Sequence, residues 1–346
     1  MRITWSSERP DNGLRNDIMD VKAKMKEMSK ELDAPIKSYI EDELPSNLIE
    51  AARQYPYAGG KRMRPTMVVA TCGAVGGDKK KAVPLAVAIE YIHNFTLIHD
   101  DLMDGDEMRR GMVTSHVKYG MPTAILAGDA LFAKAFDIIT QLDVPDAVLR
   151  KIMKLVTVAV WDLARGQQMD VNNENGEAVT MEEYIETIRL KTSVLFAAGA
   201  AGGAMVGGAD EKTVKAVHEY AMSLGVAFQM FDDILGIIGD PAKTGKSAGN
   251  DIRKGKSTVM VCHALKNIKD EKEMKEFRSV LGKLDASEEE ISRAREILKK
   301  TGSIDYAIEM AEKYTKDAIA KLDCLKPSEE KDYMIALAEY AMARDV

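Results

Sequence analysis

The chain reads as all-α, folded as one large helical domain over residues 1–346. Ala, Leu, Met, Glu and Lys dominate, and β-branched alternation is scarce. No stretch has a βαβ pattern, and no low-complexity linker or composition break divides the chain.

Amphipathic helical patterns cover residues 17–42, 46–54 and 64–76, with Pro65 suited to a helix start, where its missing N–H costs nothing. A long apolar segment, 81–104, ends in acids. Further helices are predicted at 122–141, 145–169, 180–205, 211–238, 256–267, 271–282, 287–299, 303–322 and 328–343. Thr180 with Glu183, and Ser287 with Glu290, have the spacing of capping boxes. The first thirty residues form an extension without an assigned role. The apolar run Ser193–Ala209 is broken by five glycines and reads as a tightly packed core helix, so no membrane span is expected.

Hydrophobic residues make up 46% of the chain, enough for a sizeable core, and 21 methionines suit helix–helix packing. Lys plus Arg total 48 against 55 Asp plus Glu, a net charge of −7. That balance argues against nucleic-acid binding, which needs a basic face. Cys72, Cys262 and Cys324 are far apart and form no CxxC pair, as expected of free thiols in a reducing compartment. The opening residues, MRITWSSERPDNGLRND, lack the apolar core of a secretory leader. The expected setting is the cytoplasm.

The chemistry concentrates at helix ends. In LIHDDLMDGDEMRRG, the acids Asp100, Asp101, Asp104, Asp106 and Glu107 are followed at once by Arg109 and Arg110. Asp100 and Asp104 share a helix face, where like charges repel by a few tenths of a kcal/mol unless a cation lies between them. Hard oxygen ligands with room for water suit Mg²⁺ bridging to phosphates, and the arginines would add phosphate contacts. A second apolar helix ends in Asp232 and Asp233, followed by Asp240 and a basic loop with Lys243, Lys246, Arg253, Lys254 and Lys256. If the two ends face each other, they form one multi-metal pocket.

Gly239–Ser247 imitates a P-loop, but five residues separate its glycines instead of four and it follows a helix, so nucleotide binding is not expected. Lys61, Arg62 and Arg64 surround a Gly turn at a helix start, a setting that favours an anion. His93 lies two turns before Asp100 and could donate to a diphosphate; His99 reads as structural. Lys191 leads into the Gly/Ala-rich helix, either as a snorkelling end residue or as a pocket cation.

The ordered set GGKRMRP, HNFTLIHDDLMD, DEMRRG, GDALF, GQQMD, KTS and FQMFDDILG–GDPAKTGK resembles the trans-isoprenyl diphosphate synthases, from about Gly59 to Lys256. The resemblance implies a helical bundle around a deep central cavity, usually a homodimer, with about three Mg²⁺ ions. An allylic diphosphate ionises, isopentenyl diphosphate attacks the cation, and proton loss leaves a product one isoprene unit longer.

Carried over, Asp100, Asp104 and Asp232 resemble the metal ligands, with Asp101 and Asp233 in support. Lys61, Arg64, His93 and Arg110 resemble the isopentenyl diphosphate site; Arg109, Lys191, Lys246 and Lys256 resemble the allylic diphosphate grips. Thr192 and Gln229 resemble the oxygens near the developing cation, with Asp170 and Asp251 in supporting roles. The second motif departs from the common DDxxD at Gly236, so no third carboxylate is assigned there.

For product length, the helical wheel at roughly 100° per residue puts Thr96 nearer the face of Asp100 than Phe95. The family pattern instead associates a bulky residue at the Phe95 position with geranylgeranyl diphosphate synthases, and that product is the expectation. Farnesyl or 25-carbon products, a class I terpene cyclase and a non-catalytic partner subunit are the alternatives.

Overall fold

In the computed structural model the described residues are 20–173, 179–238 and 249–342. Sixteen α-helices account for nearly all of them. They run α1 (Val21–Ser38), α2 (Ser46–Tyr57), α3 (Met63–Ala74), α4 (Lys79–Met103), α5 (Ser115–Tyr119), α6 (Met121–Thr140), α7 (Asp146–Asn173) and α8 (Met181–Ile188). After these come α9 (Val194–Val206), α10 (Glu211–Ile238), α11 (Asn250–Arg253), α12 (Val259–Asn267), α13 (Glu271–Val280), α14 (Glu288–Lys300), α15 (Ser303–Lys321) and α16 (Glu329–Met342). Both expected capping boxes form: the Thr180 and Ser287 hydroxyls accept from the N–H groups of Glu183 and Glu290, whose carboxylates reach back to the cap N–H groups.

Two hydrophobic clusters organise the packing. The larger gathers α1–α4, α6, α7, α9 and the first half of α10; the smaller gathers α8, the second half of α10 and α12–α15. α10 therefore runs through both. It is also the one described helix long and apolar enough to cross a membrane, but half of that stretch is buried in the bundle. The Gly/Ala-rich α9 is buried from Val194 to Ala204, as its small residues lead one to expect. The C-terminal helix is pinned by Tyr333, whose hydroxyl meets Thr66 at 2.9 Å, and by Met334, whose carbonyl accepts from Tyr220 at 2.7 Å.

Beyond the short helices α5 and α11, two features beside the acids depart from the sequence reading. A two-stranded antiparallel hairpin, β1 (Met108–Arg109) and β2 (Met112–Val113), follows α4. Its turn is Arg110–Gly111, both with positive φ (53° and 77°), the backbone sense that suits a two-residue hairpin. The second is a break in the predicted 180–205 helix: Arg189–Ser193 form a π-helical turn between α8 and α9. Two glycines make room for it. A Cβ on Gly166 of α7 would stand 2.3 Å from the Lys191 nitrogen, and one on Gly225 of α10 would stand 2.5 Å from the Ser193 Cα. Widened turns of this kind are frequent where a helix must present a functional side chain.

Candidate active site

The three acids at the end of α4 differ in surroundings. Asp101 is fully buried and accepts hydrogen bonds from the Tyr55 hydroxyl and the Arg109 guanidinium. It ties the hairpin and α2 to the helix end. Asp100 and Asp104 are partly open, and the Asp104 N–H closes the helix on the Asp100 carbonyl at 2.8 Å. Burial and the neighbouring Asp100 push the Asp104 carboxyl above its usual range, against the pull of Lys256, Lys254 and Lys191. Lys254 reaches across from the C-terminal half, 2.9 Å from Asp106 and 3.7 Å from Asp104.

The π-turn supplies the opposite wall. Lys191 Nζ lies 2.6 Å from Asp170 of α7 and 3.5 Å from Asp100 of α4. Burial would lower its pKa, but Asp170 and Asp100 hold it above the usual value. The next residue, Thr192, donates its hydroxyl to Gln229 Oε1 at 2.8 Å. Gln229 Nε2 donates to Asp233 Oδ1 at 2.9 Å, and the Tyr184 hydroxyl donates to Asp233 Oδ2 at 2.8 Å. Asp170, Lys191, Thr192, Gln229, Asp233 and Lys256 line one cleft, backed by Tyr184. Burial and then Asp251 push the Asp233 carboxyl up to about 7. Lys256 is buried too, yet Asp170, Asp251, Asp104 and Asp233 hold it above the usual lysine value.

Gly236 now has a physical reason. A Cβ there would stand 2.2 Å from Asp251 Oδ2, so the space a side chain at 236 would enter is taken by the Asp251 carboxylate.

A separate basic site lies on α3 and α4. Arg64 Nη1 meets His93 Nε2 at 3.3 Å, and the Arg64 guanidinium carbon lies 4.1 Å from the Phe196 ring centroid. The buried Arg64 Nε has no hydrogen-bond partner. Burial lowers Arg64 to about 10 although Glu90 and Asp232 oppose the fall. His93 is held well below the usual histidine value by burial and by Arg64, Arg110, Arg109 and Arg62, so it is neutral at pH 7. With Nε2 facing a donor, the ring proton belongs on Nδ1. Arg110 joins this site by donating to the Gly59 carbonyl at 3.0 Å, which brings two motifs 51 residues apart into contact. Arg62 and Arg110 are the two non-glycine residues with positive φ among those described, a conformation that costs roughly 1–2 kcal/mol.

Several residues sit apart from their expected neighbours. Lys61 is exposed and leans over the Tyr340 ring at 5.4 Å, with no direct contact to Arg64, His93 or Arg110. Arg109 is engaged by Asp101. Arg62 is turned inward, 4% exposed, and pairs with Glu90. Glu90 was the available signal, a lone acid inside an apolar helix. Tyr55 and Tyr184 were not singled out, because each acts through a partner distant in sequence, and Lys254 was named only as part of the basic loop, without its partners Asp104 and Asp106. Lys243 and Lys246, with Asp240, lie outside the described residues.

Phe95 packs between α4 and α6, edge-on to His99 at 5.0 Å and tilted against Phe132 at 5.3 Å; Phe136 extends the row. Thr96 spends its hydroxyl on the His93 carbonyl at 2.8 Å. His99 Nε2 faces the Ile125 carbonyl at 3.2 Å, in keeping with a structural role.

Among the described residues no three His, Cys, Asp or Glu side chains gather around one point as a metal cage. The donor set still fits Mg²⁺, which keeps several waters and binds through one or two carboxylates plus phosphate oxygens. Burial first, and then the neighbouring Asp100, raise Asp104, and a cation between the two carboxylates would oppose both.

The family model for polyprenyl synthetase matches residues 46–298. The geranylgeranyl pyrophosphate synthase of Geoglobus acetivorans is 41% identical over 322 residues, covering 93% of this chain and 98% of that protein. The crystal structure of geranylgeranyl pyrophosphate synthetase from Pyrococcus horikoshii Ot3 superposes with a TM-score of 0.89 at 42% identity, covering 94% of this chain and 98% of the other. A geranylgeranyl pyrophosphate synthase from Corynebacterium glutamicum, solved in complex with isoprenyl diphosphate and magnesium, superposes with a TM-score of 0.82 at 27% identity, covering 95% and 100%.

Proposed function

The chain belongs to the polyprenyl synthetase family, and from that premise we propose that it condenses isopentenyl diphosphate with an allylic diphosphate to give geranylgeranyl diphosphate. One observation carries this reading: two cationic sites of different make-up stand by the two acidic helix ends. Arg64, His93 and Arg110 form one, within the field of Asp101 and Asp232, and Lys191 with Lys256 forms the other, within the field of Asp100, Asp104 and Asp233.

Isopentenyl diphosphate binds at the first site, where Arg64 and Arg110 supply charge and neutral His93 supplies an N–H. Lys61 adds long-range attraction from the rim. The allylic diphosphate binds at Lys191 and Lys256, with Lys246 and Arg109 as further grips. Asp100, Asp104 and Asp232 would hold Mg²⁺, whose contribution is to neutralise charge growing on the departing diphosphate. Asp170 holds Lys191 in place, and Asp251 packs beside Asp233. Thr192 and Gln229 turn oxygens toward the allylic cation as it forms. The C4 methylene carbon of isopentenyl diphosphate then bonds to it, and the released diphosphate takes the proton. Surrounding apolar helices keep water from the cation.

The product length rests on Phe95, which is backed by Phe132 and cannot swing aside without displacing it. A homodimer is supported by the apolar side chains exposed along the hairpin, α5 and α6, including Met108, Val117, Met121, Ile125 and Leu126. The single-domain organisation is supported by α10, which is shared by both core clusters. Three free thiols accord with a cytoplasmic setting.

Incubating the purified chain with isopentenyl diphosphate, Mg²⁺ and dimethylallyl, geranyl or farnesyl diphosphate should give geranylgeranyl diphosphate by chromatography. Phe95→Ala should give longer products. Unchanged length would place the floor elsewhere, and hydrocarbon from an allylic substrate alone would mean a cyclase.

A further inference from the structure

Tyr184 belongs to no motif in the sequence, yet it ends a hydrogen-bonded chain leading to the cleft. The order is Tyr184 Oη to Asp233 Oδ2 (2.8 Å), Gln229 Nε2 to Asp233 Oδ1 (2.9 Å), and Thr192 Oγ1 to Gln229 Oε1 (2.8 Å). Every member lines the same cleft. Tyr184 is 3% exposed, and its ring packs in the smaller core cluster.

The direction of each bond follows from what the groups can do. Asp233 accepts on Oδ2 from the Tyr184 hydroxyl and on Oδ1 from the Gln229 amide. With its NH₂ committed there, Gln229 must aim its carbonyl oxygen at Thr192. Thr192 then gives up its hydroxyl hydrogen to that carbonyl. Each hydrogen of the chain is spent on the next acceptor, so what Thr192 Oγ1 and Gln229 Oε1 have left to offer the cleft is lone pairs. The opposite polarity, with amide N–H groups turned inward, would repel an allylic cation.

We infer that Tyr184 is a positioning residue: by holding Asp233 it fixes the Gln229 amide so that oxygen, not N–H, faces the allylic cation. This rests on the synthase reading and adds to it the element that sets the sign of the field. Without the hydroxyl, Asp233 Oδ2 loses its donor, the carboxylate is free to turn, and the amide is free to flip. The Tyr184 hydroxyl is spent on Asp233 and acts through it. Its effect should therefore fall on the cationic state and spare the neutral ground state.

The test compares two ligands on the full chain with Mg²⁺. One is an allylic thiolodiphosphate, neutral at carbon and resistant to ionisation. The other is an ammonium analogue of the allylic cation, bound together with inorganic pyrophosphate. Tyr184→Phe should weaken the ammonium analogue about tenfold and leave the thiolodiphosphate within about twofold. The kcat should fall about tenfold while both KM values hold. Replacing Tyr184 with 4-aminophenylalanine, which keeps an N–H donor at the same place, should restore the discrimination, and it serves if the phenylalanine variant does not fold. Equal weakening of both ligands, no weakening of either, or no rescue by the amino variant overturns the inference. A wild-type chain that binds neither ligand and makes no product would instead sink the synthase reading on which it rests.

Discussion

The two cationic sites treat charge in opposite ways. At Arg64, His93 and Arg110, burial and mutual repulsion lower every proton affinity: Arg64 falls to about 10, Arg110 falls, and His93 is neutral. At Lys191 and Lys256, carboxylates overcome burial and raise both lysines, while Asp104 is itself raised. The first site has positive charge in excess and takes an anion directly. The second is already compensated by its own acids, so an anion is welcome there only when a further cation arrives with it. On the proposed function, the diphosphate bound at the second site should require a metal and the one bound at the first should not.

The contrast can be broken most sharply at the acids. Asp100→Asn should lower kcat by roughly 10³-fold, the scale of removing a principal electrostatic contact to a leaving group. In the same variant the KM for isopentenyl diphosphate should stay within about threefold, because its site needs no metal bridge. Steady-state kinetics with each substrate varied in turn reads both, and a loss shared equally between the substrates would erase the distinction. A smaller effect is expected on the other side. Arg64→Gln should raise the KM for isopentenyl diphosphate by roughly thirtyfold, about 2 kcal/mol for a lost charge-assisted contact, and leave the allylic KM unchanged.

The smallest expected effect is on stability. His93 binds its proton less readily in the folded chain than in the unfolded one. Between its depressed folded value and its ordinary value near 6.5, the unfolded state therefore carries more protons, and stability rises with pH. The contribution is complete above that ordinary value and is lost as the pH falls toward the folded one. His93→Gln should flatten the Tm profile below pH 6.5 by a few degrees relative to the parent chain. Parallel profiles would show that burial and the neighbouring arginines do not depress His93.

The sequence exposed the helices well because their apolar periods and caps are local. Thr180 and Ser287 mark helix starts within four residues, and the acidic ends of α4 and α10 stand out against greasy runs. The hairpin at 108–113 was hidden because each strand is two residues long and its turn uses Arg-Gly instead of Asn-Gly. Arg62 looked like a partner of Arg64 until Glu90 turned it inward. Tyr184 was silent because its meaning lies in Asp233, 49 residues away. Local chemistry was readable; pairing across the bundle was not.

The widened turn at Arg189–Ser193 has a consequence for how the chain tolerates change. It lodges one residue more than an ordinary helical turn would, with Gly166 on one flank and Gly225 on the other. A chain shortened by one residue there could run through as plain α-helix. α8 and α9 would keep their register, because a widened turn absorbs its extra residue without rotating its flanks. The loss would fall inside the turn, where Lys191 meets Asp170 and Thr192 meets Gln229. A deletion at this point would therefore spare the packing on either side and cost the cleft its lysine and threonine, both set in place by a single surplus residue.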